Sequence, residues 1–226
     1  MKKIFALSLG MFAFIAVSKA QSTTSVIKHS HDFLMVQVSY DSWMGAPDSI
    51  KTGGLSRGFN IAFMYDFQFK PGSKLSIAPG LGISSSNIFF KNQAVAIGEL
   101  SPTLQFPADS SFKHYKLSTN FLEIPVELRY RQYPNNANKG FKAGLGLKFG
   151  TLLNAHTKGK KILSGGKQTE KVSDKRYFQT WRAAATARIG YGNFSVFTTY
   201  SLTPLLKQSA GPSINSFSIG LCLSGL

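Results

Sequence analysis

The sequence predicts an all-β protein, an eight-stranded antiparallel up-and-down transmembrane β-barrel. Three observations carry that expectation. Apolar and polar residues alternate with a period of two in eight separate runs, as they do when successive side chains point to opposite faces of a strand. Several of the polar faces carry full charges, which suits a wall that is apolar toward lipid around a packed polar interior. The connections between runs alternate long and short, as in barrels of bacterial outer membranes.

The compartment is read from the first residues. Lys2 and Lys3 precede an apolar stretch from Ile4 to Val17, and Ser18-Lys19-Ala20 puts small residues where a signal peptidase reads. Residues 1–20 are therefore expected to be a secretory signal, and residues 21–226 the barrel domain. About 14 apolar residues are too few for a membrane-spanning helix, which needs roughly 20. The formal net charge of +16 falls to about +13 without Lys2, Lys3 and Lys19. So basic a chain attracts polyanions. For an exported protein these are outer-membrane lipid and lipopolysaccharide rather than nucleic acid. The single cysteine, Cys222, excludes an internal disulfide framework. No cofactor is expected, and the barrel is expected to be monomeric.

Taken in order, the first run sets Leu34, Val36, Val38 and Tyr40 against Met35, Gln37, Ser39 and Asp41. The second, Phe59–Phe69, is aromatic or aliphatic at every odd position, with Asn60, Asp66 and Gln68 on the other face. The third alternates Leu75, Ile77, Pro79, Leu81 and Ile83 with serine, alanine and glycine. The fourth, Lys116–Arg131, sets Leu122, Ile124, Val126, Leu128 and Tyr130 against Glu123, Pro125, Glu127, Arg129 and Arg131. The fifth runs over Phe141–Phe149, the sixth over Trp181–Tyr191, the seventh over Phe194–Leu202 and the eighth over Ser216–Leu223. Most reach the roughly 9–11 residues that a tilted spanning strand requires. The long connections are 44–54, 86–114, 154–176 and 203–212; the short ones are 70–73, 134–139 and the turn at Gly192-Asn193. With both termini in the periplasm, the long connections face outward.

Eight strands leave an interior that side chains just fill. The lumen is expected to pair Asp41, Asp66, Glu123 and Glu127 with Arg129, Arg131, Lys142, Lys148, Arg182 and Arg188. Its core is an ion-pair cluster of Glu123, Glu127, Arg129, Arg131, Lys148, Arg182 and Arg188 that acts as a structural plug. Folding the fourth and fifth strands about their short turn puts Lys148 level with Pro125, so Lys148 is expected to bridge Glu123 and Glu127. Pro125 lacks an N–H and is expected to mark a bulge or bend.

Two long connections stand out. Residues 158–176 carry Lys158, Lys160, Lys161, Lys167, Lys171, Lys175 and Arg176 against Glu170 and Asp174. They read either as a polyanion-binding loop or as a solvated loop of ordinary charge. The connection 86–114 holds Ile88, Phe89, Phe90, Val95, Ile97, Leu100, Leu104 and Phe106. It reads as a contact surface, as an extension of its strands, or as a flap over the barrel mouth.

Chemistry has little support. His114 and His156 stand near strand ends, with Ser84–Ser86 and Ser118 as the available nucleophiles, and no G-x-S-x-G motif accompanies them. His29 and His31 could hold a metal, but no cysteine or acidic cluster joins them beyond Asp32.

The run Phe121–Tyr130, FLEIPVELRY, resembles the (F/Y)-(L/V)-E-I-P strand of the PorT-like outer-membrane β-barrel proteins of Bacteroidetes-type bacteria. Gly140–Gly150 (GFKAGLGLKFG), Asn154–Lys158 (NAHTK) and Tyr200–Leu206 (YSLTPLL) extend the resemblance over most of the chain. It implies an integral outer-membrane barrel and, through the family's namesake, a link to a system that exports large surface proteins. It implies no catalytic residues. The expected function is that of a non-enzymatic, plugged barrel, either an assembly or secretion accessory with envelope partners or a surface-recognition protein. The alternatives are a small-solute channel and a lipid A-modifying enzyme.

Overall fold

The computed structural model describes residues 33–136, 138–163 and 166–225, with the backbone alone at 162–163 and 166–167. The expected signal at 1–20 and the pair His29 and His31 lie outside the described residues. The strands are β1 (Leu34–Met44), β2 (Arg57–Met64), β3 (Phe67–Gln68), β4 (Leu75–Phe90), β5 (Phe112–Arg131), β6 (Phe141–Leu163), β7 (Gly166–Ser173), β8 (Trp181–Tyr191), β9 (Phe194–Ser201) and β10 (Asn215–Ser224). β3 continues β2 after a two-residue break, and β7 pairs only with the upper part of β6. The remaining neighbours are antiparallel, and β1 pairs with β10, so the sheet closes as an eight-stranded barrel. Closure removes the free strand edges that a bilayer cannot satisfy.

The wall is inverted relative to a soluble protein. Phe63, Leu81, Ile124, Leu145, Phe149 and Leu221 are all about half exposed or more, while the charged residues of the same strands are buried. From Phe141 to Thr151 is ten steps of about 3.3 Å, which at a tilt of about 40° makes a wall of roughly 25 Å. Aromatic side chains mark its edges. Tyr130, Phe141, Tyr191 and Phe194 stand exposed at the end with the short turns, and Trp181 stands at the other. At the turn end, Gly192 opens the two-residue β8–β9 turn at φ +59°, as a tight hairpin requires.

The long-connection end, called here the cap end, differs from the sequence expectation. β4, β5 and β6 run on beyond the apolar wall, and the connection 86–114 both extends β4 to Phe90 and folds over the mouth. Ile88, Phe90, Val95, Ile97 and Leu104 pack with Tyr115, Leu117, Phe121, Tyr177, Phe178, Leu206 and Ile214 in an apolar core. Tyr177 Oη pins the flap by donating to the carbonyls of Glu99 and Ser101 at 2.6 and 2.8 Å. Most of that connection's apolar groups are therefore buried, not offered as a surface; Leu100 is the exception.

Two irregularities set the register. The β4–β5 ladder stops after Pro79↔Val126 and resumes at Gly82↔Glu123 with unchanged register. The expected bulge at Pro125 is thus absent. Two prolines lie in the gap region, and missing donors interrupt the ladder without shifting it. The bulge lies instead between β5 and β6, where Asn120 faces Asn154 but Phe121 faces Leu152, leaving Leu153 extra on β6.

Candidate functional site

The lumen is built around Glu127. Arg129 Nε donates to Glu127 Oε2 at 2.6 Å, and Arg188 Nε donates to both carboxylate oxygens at 3.0 Å. Toward the turn end, Asp66 lies 3.0 Å from Arg129 Nη1 and also pairs with Arg131. It faces inward as Ala62 and Met64 do, because the alternation of β2 carries through the break at Tyr65-Asp66 into β3 with unchanged register against β4. Lys142 Nζ donates to Ser224 Oγ at 2.8 Å. Toward the cap end, Glu123 meets Arg182 at 3.3 Å and Lys148 at 3.9 Å. Lys148 Nζ also donates to Gln37 Oε1 at 3.3 Å. Asp41 accepts from Ser39 and Ser86 at 2.7 and 2.5 Å.

Strand register brings these groups together. Lys148 lies opposite Pro125, the level that the short β5–β6 turn dictates. It reaches Glu123, but Glu127 is occupied by Arg129 and Arg188, so the bridge expected between the two acids is replaced by two separate clusters. Arg182 sits at the edge, half-buried over the Phe121 ring at 5.1 Å. On the opposite side of the lumen Met35, Met64, Phe197 and Cys222 form a small apolar cluster. A polar cavity among Asp41, Ser84, Glu123 and Lys148 measures about 20 Å³, room for about one water.

The basic stretch is not a loop. Residues 158–163 continue β6 and 166–173 form β7, a hairpin standing above the wall. The hairpin sorts the charges. Thr157 is buried and Val172 packs against the cap core, so Lys158, Lys160 and Lys171 take the other face. Lys161 turns to Glu170 at 3.6 Å, and Arg176 pairs with Asp174 at 2.6 Å beyond the hairpin. Lys175 is exposed on the same connection, and Lys167 is described by its backbone alone. The expected single cluster is thus divided. Lys116, which the sequence reading left out, joins the outer face directly opposite Lys158, and Lys158 is directly opposite Lys171. Arg57 adds a further cation, stacked at 5.8 Å over the Phe89 ring, with Lys116 Nζ 6.0 Å from the same ring.

His156 stands on this face, above the level of Trp181. Its pKa is held below the ordinary histidine value, first by burial and then by Lys171, Lys116 and Lys158. The unfolded chain therefore takes up the proton at a higher pH than the folded one. Acidification through about pH 6.5 should cost stability at this position. An NMR titration is expected to give a midpoint below that of free histidine, and Lys171→Gln should raise it.

The nucleophile candidates are not assembled. Ser118 and His156 are cross-strand neighbours, but Ser118 Oγ donates to Asn87 Oδ1 at 3.1 Å, and His156 Nδ1 lies 3.3 Å from Asn154 Nδ2. Ser84 is buried in the lumen and His114 is exposed. Among the described residues, no group of three His, Cys, Asp or Glu could hold a metal.

An apolar wall of bilayer height around a charged, filled lumen defines an integral membrane β-barrel of the outer-membrane type. The chain belongs to the family of the outer membrane protein beta-barrel domain, whose pattern matches residues 29–207. The match extends to this barrel family and not to the PorT-like group in particular. Among solved structures, the chain is similar to the attachment invasion locus protein Ail of Yersinia pestis in complex with the heparin analogue sucrose octasulfate. That likeness has 14% identity, covers 85% of this chain and 96% of that one, and has a TM-score of 0.39. It is also similar to Ail alone, with 15% identity, the same coverage and a TM-score of 0.35. The Ail backbone structure in a phospholipid bilayer nanodisc matches at 13% identity over 85% of this chain and 98% of that one, with a TM-score of 0.31. Curated proteins gave no sequence match.

Proposed function

We propose that this protein is a non-enzymatic, side-chain-plugged outer-membrane barrel whose working surface is its cap end, where it recognises molecules at the cell surface. The filled lumen carries this reading. A cavity of about 20 Å³ passes no solute, and the cap core seals the mouth above it. With short turns and both barrel termini at one end, that end faces the periplasm and the cap faces outward. Outer-leaflet lipid and lipopolysaccharide are the molecules nearest the cap. The E-I-P strand supplies a second reading, in which the barrel is an accessory of an assembly or secretion machinery.

The test is conductance in planar bilayers. The expected result is no steady ionic current at neutral pH from protein purified as a lone monomer. A steady current would overturn the plugged barrel, and a stable envelope partner in the purified material would favour the accessory role.

A further inference from the structure

We propose that the outer face of β5, β6 and β7 is a binding site for a phosphorylated, acylated glycolipid of the outer leaflet. The inference deepens the reading of the cap end as a recognition surface and rests on it.

The site has three tiers on one continuous face. On β5 the even-numbered residues from Tyr130 up to Lys116 share the lipid-facing side, since β5 itself carries no extra residue between them. The lowest tier is an apolar groove of about 260 Å³ lined by Leu122, Ile124, Phe149, Thr151, Trp181 and Ala183. Small side chains at 151 and 183 leave the dent beside the exposed Trp181 ring, and its dimensions suit an acyl chain. Above it come uncharged polar groups, Asn120 opposite Asn154 and His156 opposite Ser173. These suit the hydroxyl and amide groups of a sugar. The top tier is the row Lys116, Lys158, Lys171, directly opposed across three strands.

That row is the unusual feature. Like charges directly opposite one another across a sheet cost stability, and here three stand in line. Among the described residues no carboxylate lies within ion-pair distance of any of them; the nearby Glu170 is with Lys161. Lys116 has its pKa lowered, first by burial and then by Lys158, Arg57 and Lys160, so the cations crowd one another. A phosphate is the partner such a row fits. The row lies six residues, about 20 Å along the strand, from the groove, and the bilayer side of the sheet is the side it faces. A lipid headgroup therefore reaches it naturally, with its chain in the groove below.

The experiment measures binding to the full-length mature protein in phosphatidylcholine nanodiscs, read by tryptophan fluorescence in a Trp43→Phe background, which leaves Trp181 as the reporter, and by native mass spectrometry. The probes are bisphosphorylated lipid A, its dephosphorylated form, and inositol hexakisphosphate as a soluble polyphosphate. Each lysine near a phosphate is worth about fivefold. The triple variant K116Q/K158Q/K171Q should therefore lose roughly 100-fold in affinity for bisphosphorylated lipid A, and little for the dephosphorylated form. Removing three repelling charges should leave the barrel folded, which heat-dependent gel migration checks. Ala183→Phe, which fills the groove, should weaken lipid A and leave inositol hexakisphosphate unchanged.

Equal binding of the two lipid forms, or a triple variant that keeps the preference, would overturn the site. Hexakisphosphate bound as tightly as lipid, with Ala183→Phe silent, would overturn the lipid as its source. Lipid A that binds through the lysines but leaves shortened by an acyl chain would support the site and overturn only the non-enzymatic reading.

Discussion

Glu127→Ala is expected to destabilise the folded barrel by about 3–5 kcal/mol, because it leaves buried bases without the carboxylate that two of them share. Arg129 and Arg188 both hydrogen-bond to that carboxylate, and all three residues are buried. Urea unfolding from lipid vesicles measures the effect. Glu123→Ala should cost less, since Lys148 stands 3.9 Å away and keeps its hydrogen bond to Gln37, while Arg182 reaches the edge. Replacing both partners with apolar residues, Glu127→Leu with Arg188→Met, should recover part of the loss, because the burial cost of the ion pair is removed with it. A Glu127→Ala barrel as stable as the parent would show that the cluster is not what fills and holds the lumen.

Leu147→Arg is expected to cost about 2–4 kcal/mol, the cost of a cation at the bilayer midplane of a barrel wall. Leu147 lies between Phe141 at the turn end and Thr151 at the cap end, paired with Val126 and Ala185, and is exposed to lipid. Its neighbour Lys148 points into the lumen and is buried, so two adjacent positions meet opposite solvents. Lys160→Leu on the hairpin face, outside the bilayer, should be nearly neutral by the same assay. Reversible unfolding in bilayers of matched thickness separates these outcomes. An arginine at 147 without cost would place that face outside the membrane.

Much of this protein was legible in its sequence, for a physical reason. Lipid outside and packed charge inside force a period-two pattern on each spanning segment. The eight runs therefore announced the eight barrel strands, and β8 was read at its observed limits, Trp181–Tyr191. The sidedness of Glu123, Glu127, Arg129 and Arg131 followed from the same alternation. Where the wall ends, that constraint ends too. The flap over the mouth and the hairpin of β6 and β7 alternate weakly, and their sequences predict only connections.

What the sequence alone determined is the barrel, the membrane it suits and the residues that turn inward. What only the tertiary structure decided is partnership, because register across strands is not written in any one strand. Nothing within β5 says that Glu127 belongs to Arg129 and Arg188 and that Lys148 stops at Glu123. One inserted residue, Leu153, makes the same point at the cap end. It reverses the facing of β6 above the wall, so that Lys158 and Lys160 turn outward to join Lys116 and Lys171 instead of facing the cap core. A bulge shifts every later side chain to the other face, and only pairing with β5 shows that it is there.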